Sequence, residues 1–217
     1  MNLLKNTFYI NLTERTDRRE HIEKQLKDIG IQDPLRINAF KMKHGCIGCT
    51  LSHIHCIELA KLRNYEYIFV IEDDAVFTNP TVFLDNLTKF QDNPPNKWDV
   101  LLIGGNVVRP YTKIEEHYIQ CFNTQTTTGY IINNHYYDTM IQNFKEGIKQ
   151  LMNDPVSVQN RNLYAVDMYW KRLQQKDNWY MIIPLTVTQN PGYSDIEDRV
   201  INYNHLMLDL NKEWLYR

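Results

Sequence analysis

Nowhere in the 217 residues does an apolar run approach the roughly 20 residues that a membrane helix requires. The chain passes from Met1 straight into the strand-like Thr7-Phe8-Tyr9-Ile10, with no charged n-region followed by an apolar h-region. The expectation is a cytoplasmic protein without a transmembrane segment. An excess of charge of one sign is missing too: 24 Lys and Arg stand against 26 Asp and Glu, a formal charge of -2. Nucleic-acid and polybasic membrane-surface partners, which call for a basic patch, are thereby disfavoured, and a small-molecule partner fits better. The four cysteines, Cys46, Cys49, Cys56 and Cys121, are few and mostly clustered, which makes reduced thiols rather than a disulfide framework. Repeats, low-complexity tracts and linkers are absent, so residues 1–217 read as a single domain. At 43% hydrophobic and 12% aromatic residues, that domain can bury a sizeable core.

What is present is an alternation of short apolar runs with helical periodicity, the pattern of an α/β domain with a mostly parallel central sheet. Phe8 to Leu12 reads as a first strand and Glu14 to Ile29 as a helix with Ile22, Leu26 and Ile29 on one face. Asp17 with Glu20 resembles a capping box, and Gly30 closes the helix. Arg36 to Phe40 reads as a strand, Thr50 to Arg63 as a helix, and the continuous apolar run Tyr67-Ile68-Phe69-Val70-Ile71 as a central strand covered on both faces. An amphipathic stretch begins at Asn79-Pro80. Strands are expected at Trp98 to Ile103, Tyr118 to Phe122, Thr128 to Ile132 and Trp179 to Ile183, and helices at Tyr136 to Leu151 and Ala165 to Gln175.

Three carboxylates, Glu72, Asp73 and Asp74, follow the central strand directly. In open α/β sheets, ligands bind beyond the carboxyl ends of the strands. Adjacent carboxylates repel one another, yet they suit a hard divalent cation that bridges phosphates, because Mg²⁺ and Mn²⁺ favour oxygen ligands. The plainer alternative is an acidic helix N-terminus.

Further motifs occur in a fixed order: Tyr9-Ile10-Asn11-Leu12 with Arg15, Asp17 and Arg18; Gly45-Cys46-Ile47-Gly48-Cys49-Thr50-Leu51-Ser52-His53; Ile71-Glu72-Asp73-Asp74-Ala75; Thr128-Gly129-Tyr130; and Val166-Asp167 followed by Pro184, Gln189 and Ser194-Asp195-Ile196. Together they resemble glycosyltransferase family 25, which includes lipooligosaccharide galactosyltransferases and collagen glycosyltransferase domains. The resemblance implies a GT-A type, Rossmann-like fold in which an Asp-x-Asp type motif binds Mn²⁺, or Mg²⁺, and a UDP-sugar donor. Here Glu72-x-Asp74 fills that motif. It implies Asp74 as direct metal ligand, with Glu72 and Asp73 contacting the metal, ribose or sugar, and Tyr9, Ile10, Asn11 and Leu12 at the nucleotide's edge of the sheet. It also implies a glycan or glycoprotein acceptor.

Arg15 is the stronger candidate for phosphate contact, through its paired guanidinium donors, and Arg18 is left open. Cys46-x-x-Cys49 has zinc-ligand spacing, but no second pair follows at a finger-like distance. The family pattern instead places Gly45 and Gly48 in a tight turn before a helix whose Ser52 and His53 support the donor, or are satisfied buried polar groups. Asp167 is the expected catalytic base, with Asp195 its rival, and His205 is a late histidine that completes the metal shell. The mechanism implied is an inverting single displacement moving galactose or glucose. A catalytically silent sugar-nucleotide or glycan-binding domain is the alternative. A nucleotidyltransferase needs a Gly-rich phosphate loop, which Asn11-Leu12-Thr13-Glu14-Arg15 is not.

Overall fold

The computed structural model describes residues 2–194 and 199–216. The strands are β1 (Thr7–Asn11), β2 (Leu35–Asn38), β3 (Tyr67–Glu72), β4 (Ala75–Phe77), β5 (Val100–Val107), β6 (Tyr111–Glu115), β7 (Tyr118–Cys121), β8 (Thr124–Asn133), β9 (Trp179–Ile182), β10 (Val187–Gln189), β11 (Gly192–Ser194) and β12 (Arg199–Ile201). The helices are α1 (Thr16–Asp28), α2 (Gly45–Leu62), α3 (Pro80–Asp92), α4 (Tyr137–Asn153), α5 (Val158–Tyr164), α6 (Val166–Tyr169), α7 (Lys171–Gln174) and α8 (Asn204–Met207). None of the described helices is long and apolar enough to cross a membrane.

One eight-stranded sheet, in the order β2-β1-β3-β8-β5-β9-β7-β6, carries the architecture. Strands β2, β1, β3, β5, β9 and β6 run one way, and only β8 and β7 are reversed. The α/β class and the mostly parallel centre therefore hold, with β8 inserted antiparallel between β3 and β5. Both faces of the sheet are covered, which is why β3 is a continuous apolar run from Tyr67 to Ile71 rather than alternating. On one face Phe8, Val70, Leu102, Tyr130 and Trp179 pack beneath α2, α4 and α6. On the other, Tyr9, Phe69, Ile71 and Leu101 meet Ile22 and Leu26 of α1 and Phe83, Leu87 and Phe90 of α3.

Local chemistry explains some helix ends and corrects several expectations. Gly30, at φ +86°, donates to Lys27 O at 3.0 Å and closes α1 as expected, in a conformation that L side chains rarely adopt. The capping box does not form: α1 begins at Thr16, and Asp17, already inside its first turn, pairs with Arg15. The Asn79 side chain accepts from Val82 N and Pro80 opens α3. The single helix expected over Ala165 to Gln175 is broken between α6 and α7 at Trp170, whose buried indole donates to Thr124 O at 2.8 Å.

The larger correction concerns Gly45 and Gly48, which form the first turn of α2 rather than a turn before it. Gly48 is demanded by packing: a Cβ there would lie 2.1 Å from Phe40 O. Helix propensity alone favours alanine by about 1 kcal/mol, whereas forcing atoms into a filled site costs about 1–3 kcal/mol or more. A backbone clash this close decides the sign, so Gly48→Ala is expected to lower the urea midpoint, and a raised midpoint would show that Phe40 does not pack there.

Candidate active site

Strand β3 delivers Glu72 to the carboxyl edge of the sheet, and a two-residue turn, Asp73-Asp74, leads straight into β4. Ile10 is paired with Glu72, which sets Asn11 level with the turn. The acidic triplet is thus a strand-end turn and not a helix N-terminus.

Glu72 lies on the α2 face among fixed partners. Its Oε1 accepts from Thr127 Oγ1 at 2.7 Å and lies 3.3 Å from His53 Nε2, while Oε2 accepts from Gln189 Nε2 at 3.1 Å. Burial pushes the Glu72 carboxyl up, but His53, Thr127 and Arg18 outweigh it and hold the group below its ordinary value. His53 is wholly buried and its Nδ1 meets Tyr130 OH at 3.0 Å.

Asp73 accepts from Asn11 Nδ2 at 2.7 Å and from Arg18 Nη1 at 3.2 Å. The same guanidinium nitrogen reaches Asp74 Oδ2 at 2.9 Å, and Nη2 donates to Tyr193 O at 2.9 Å. Arg18 therefore clamps both aspartates to the segment that carries β11. Asp74 Oδ1 is buried without a hydrogen-bond partner among the described residues. Burial first, and then the neighbouring Glu72 charge, push the Asp74 carboxyl up to about 7 against the pull of Arg18.

Asp167 sits on α6, where Oδ2 accepts from Thr126 N at 2.9 Å. Thr126 holds φ +71°, a strained value for a β-branched residue, and that backbone aims its N–H at the carboxylate. Burial raises the Asp167 carboxyl, and the Glu72 charge adds to the rise. Both groups also push up the Cys49 thiol beside them, after burial itself. Asp167, Cys49 and Glu72 consequently occupy one electrostatic neighbourhood.

The remaining expected residues are placed as follows. Tyr9 turns away to α1, where its hydroxyl donates to Glu23, and Ile10 is packed in the core under α2. Leu12 is half-buried and its carbonyl accepts from Arg15 N. The Arg15 side chain pairs with Asp17 at 3.0 Å, so the arginine found on the carboxylates is Arg18. Ser52 accepts from Phe40 N and donates to Gly48 O, bracing the 39–43 loop on α2. His205 is exposed on α8 with its ring against Trp214. Asp195 lies outside the described residues.

Residues 32–125 match the model of glycosyltransferase family 25 (LPS biosynthesis protein). The likeness is to that family over this segment alone. It spans α2 and the carboxylate turn, whereas Arg18, Asp167 and Gln189 lie outside it. No curated protein matches the chain in sequence. Solved structures similar to it include a glycosyltransferase involved in the glycosylation of the major capsid of PBCV-1, at 9% identity over 82% of this chain and 92% of that one, with a TM-score of 0.44. A mutant Drosophila galactosyltransferase 7 in complex with manganese, UDP-Gal and xylobiose is 12% identical over 99% and 79%, with a TM-score of 0.40. Mannose-1-phosphate geranyltransferase from Thermus thermophilus is 8% identical over 81% of this chain, which spans 58% of that protein's length, with a TM-score of 0.44. At these scores the likenesses add nothing to the chemistry.

Proposed function

We propose that this glycosyltransferase moves a hexose, galactose or glucose, from a UDP-sugar to a hydroxyl of a glycan or glycoprotein, with a divalent cation and with inversion at the anomeric carbon. The observation that carries the reading is Asp74 Oδ1, a buried carboxylate oxygen with no partner, next to two further carboxylates at a strand's carboxyl end. An unpaired buried carboxylate oxygen suits a hard cation such as Mn²⁺ or Mg²⁺. Asp74 and Glu72 would hold the cation, whose charge would offset that developing on the departing diphosphate.

The chain's own groups do the rest. Asn11 and Asp73 face the ribose, and the Arg18 guanidinium offers its donors to diphosphate oxygens. Asp167, its carboxyl raised by burial, takes the proton of the acceptor hydroxyl. The acceptor oxygen then bonds to the anomeric carbon as the bond to the phosphate oxygen breaks, and UDP leaves with that electron pair.

The test is release of free nucleoside diphosphate from a panel of uridine and guanosine diphosphate sugars, with Mn²⁺ or with chelator. Metal-dependent release from a uridine diphosphate hexose is expected. Donor binding without release from any sugar supports a catalytically silent domain, and neither binding nor release overturns the assignment of the carboxylate turn.

A further inference from the structure

Cys49 and His53 stand one turn apart on the same face of α2 and both reach the end of β3. Their ligand atoms form a group with one oxygen of Glu72 in which every pair lies within 4.8 Å. Glu72 Oε1 is 3.3 Å from His53 Nε2 and 3.9 Å from Cys49 Sγ. Around a four-coordinate cation with bonds of about 2.0–2.3 Å, neighbouring ligand atoms are about 3.3–3.8 Å apart. Two edges of the triangle are thus close to coordination size, and the third, at most 4.8 Å, needs to contract by up to about 1.5 Å.

The two ligands other than the thiol are already oriented. Tyr130 OH holds the imidazole through Nδ1 and leaves Nε2 facing the cluster, the arrangement in which a metal-ligating histidine uses its second nitrogen to fix the ring. Thr127 and Gln189 hold the two oxygens of Glu72. Cys49 differs from the other three cysteines, which are buried, in being partly open to solvent. The Glu72 side chain is 18% exposed, so the cluster borders solvent on that side.

We propose that Cys49, His53 and Glu72 form a binding site for a borderline-soft divalent cation of the Zn²⁺ class, distinct from the oxygen position at Asp74. Thiolate, imidazole and carboxylate in a set of three with one position open match the preference of Zn²⁺. Mn²⁺ and Mg²⁺ gain little from sulfur and belong with oxygen ligands. On binding, the Cys49 S–H bond breaks, its proton passes to solvent and a sulfur–metal bond forms. The site shares Glu72 with the donor reading but does not depend on it.

Co²⁺ added to the purified, reduced full chain tests the proposal, because a bound thiolate gives a sulfur-to-cobalt charge-transfer band and tetrahedral coordination gives intense visible bands. The expected result is one equivalent of Co²⁺ with both signatures, displaced by Zn²⁺. Cys49→Ser and Cys49→Ala abolish the charge-transfer band and weaken Co²⁺ binding by at least about 100-fold, while Asp74→Asn retains the band. A protein that gives no charge-transfer band, or a band that survives both Cys49 substitutions, overturns the proposal. Neither readout uses a sugar donor, so failure here is separate from failure of the transferase reading.

Discussion

Asp74→Asn is expected to remove divalent-dependent release of nucleoside diphosphate, by about 1,000-fold or more, while leaving the protein as stable as before or more so. The activity loss follows from replacing a carboxylate oxygen with an amide at the position whose Oδ1 has no other partner. A bound cation supplies several kcal/mol to a transition state that develops charge, and each 1.36 kcal/mol is tenfold in rate. The stability effect has the opposite sign for a related reason. The folded-state value of Asp74, about 7, is above the ordinary value of 3.8. The folded chain therefore binds this proton more tightly than the unfolded chain, and the group's contribution turns against folding as pH rises from about 4 to about 7. An amide has no such charge to bury. Thermal unfolding at pH 8 with chelator, set beside donor hydrolysis with Mn²⁺, checks both halves. Full activity in the variant sinks the assignment, whereas loss of activity with loss of fold would leave Asp74 structural.

Arg18→Gln carries the second large effect. The guanidinium is the one cationic partner of Asp73 and Asp74 among the described residues, and these side chains are 11% and 14% exposed. Removing the only charged partner of a fully buried pair costs about 3–5 kcal/mol; partial exposure here reduces that to about 1–3 kcal/mol. The variant is expected to unfold at a lower temperature in chelator and to recover more of that loss on addition of Mn²⁺ than the wild type gains, since cation and guanidinium serve the same carboxylates. Equal unfolding temperatures in chelator, with equal shifts on Mn²⁺, would show that Arg18 does not hold the turn. Donor hydrolysis measured in parallel separates this role from diphosphate contact.

Legibility from sequence followed the range of the forces involved. Tyr67 to Ile71 announced a buried strand because both faces are covered, and the carboxylates after it were placed by the general geometry of α/β sheets. Helix α3 was legible from Asn79-Pro80, and the end of α1 from Gly30, since each signal acts within a few residues. What stayed hidden depends on separations no local pattern encodes. Arg15 and Arg18 look alike in the sequence, and only the docking of α1 beside the turn selects Arg18. Thr127, Gln189 and Cys49 all surround Glu72, yet each comes from a different element, and their convergence needs the β3–β8 register and the return of β10 along β4. Gly48 was read as turn chemistry because its actual constraint, the Phe40 carbonyl, is set by tertiary packing. The left-handed Thr126 that aims its amide at Asp167 leaves no mark on composition at all.

The order in which the clamp's parts leave the ribosome has a consequence of its own. Arg18 precedes Asp73 by 55 residues, whereas Gln189 follows Glu72 by 117 and the Tyr193 carbonyl follows Arg18 by 175. During synthesis Arg18 is already in hand when Asp73 and Asp74 emerge, so the two aspartates can gain their guanidinium partner early, at a modest cost in loop closure. The contacts from residues 187–194 are added last, and with them the geometry around Glu72 is completed. A polypeptide stalled before residue 187 would carry the contact of Arg18 with the two aspartates but lack Gln189 on Glu72 and the Tyr193 carbonyl on Arg18, which leaves the site unfinished.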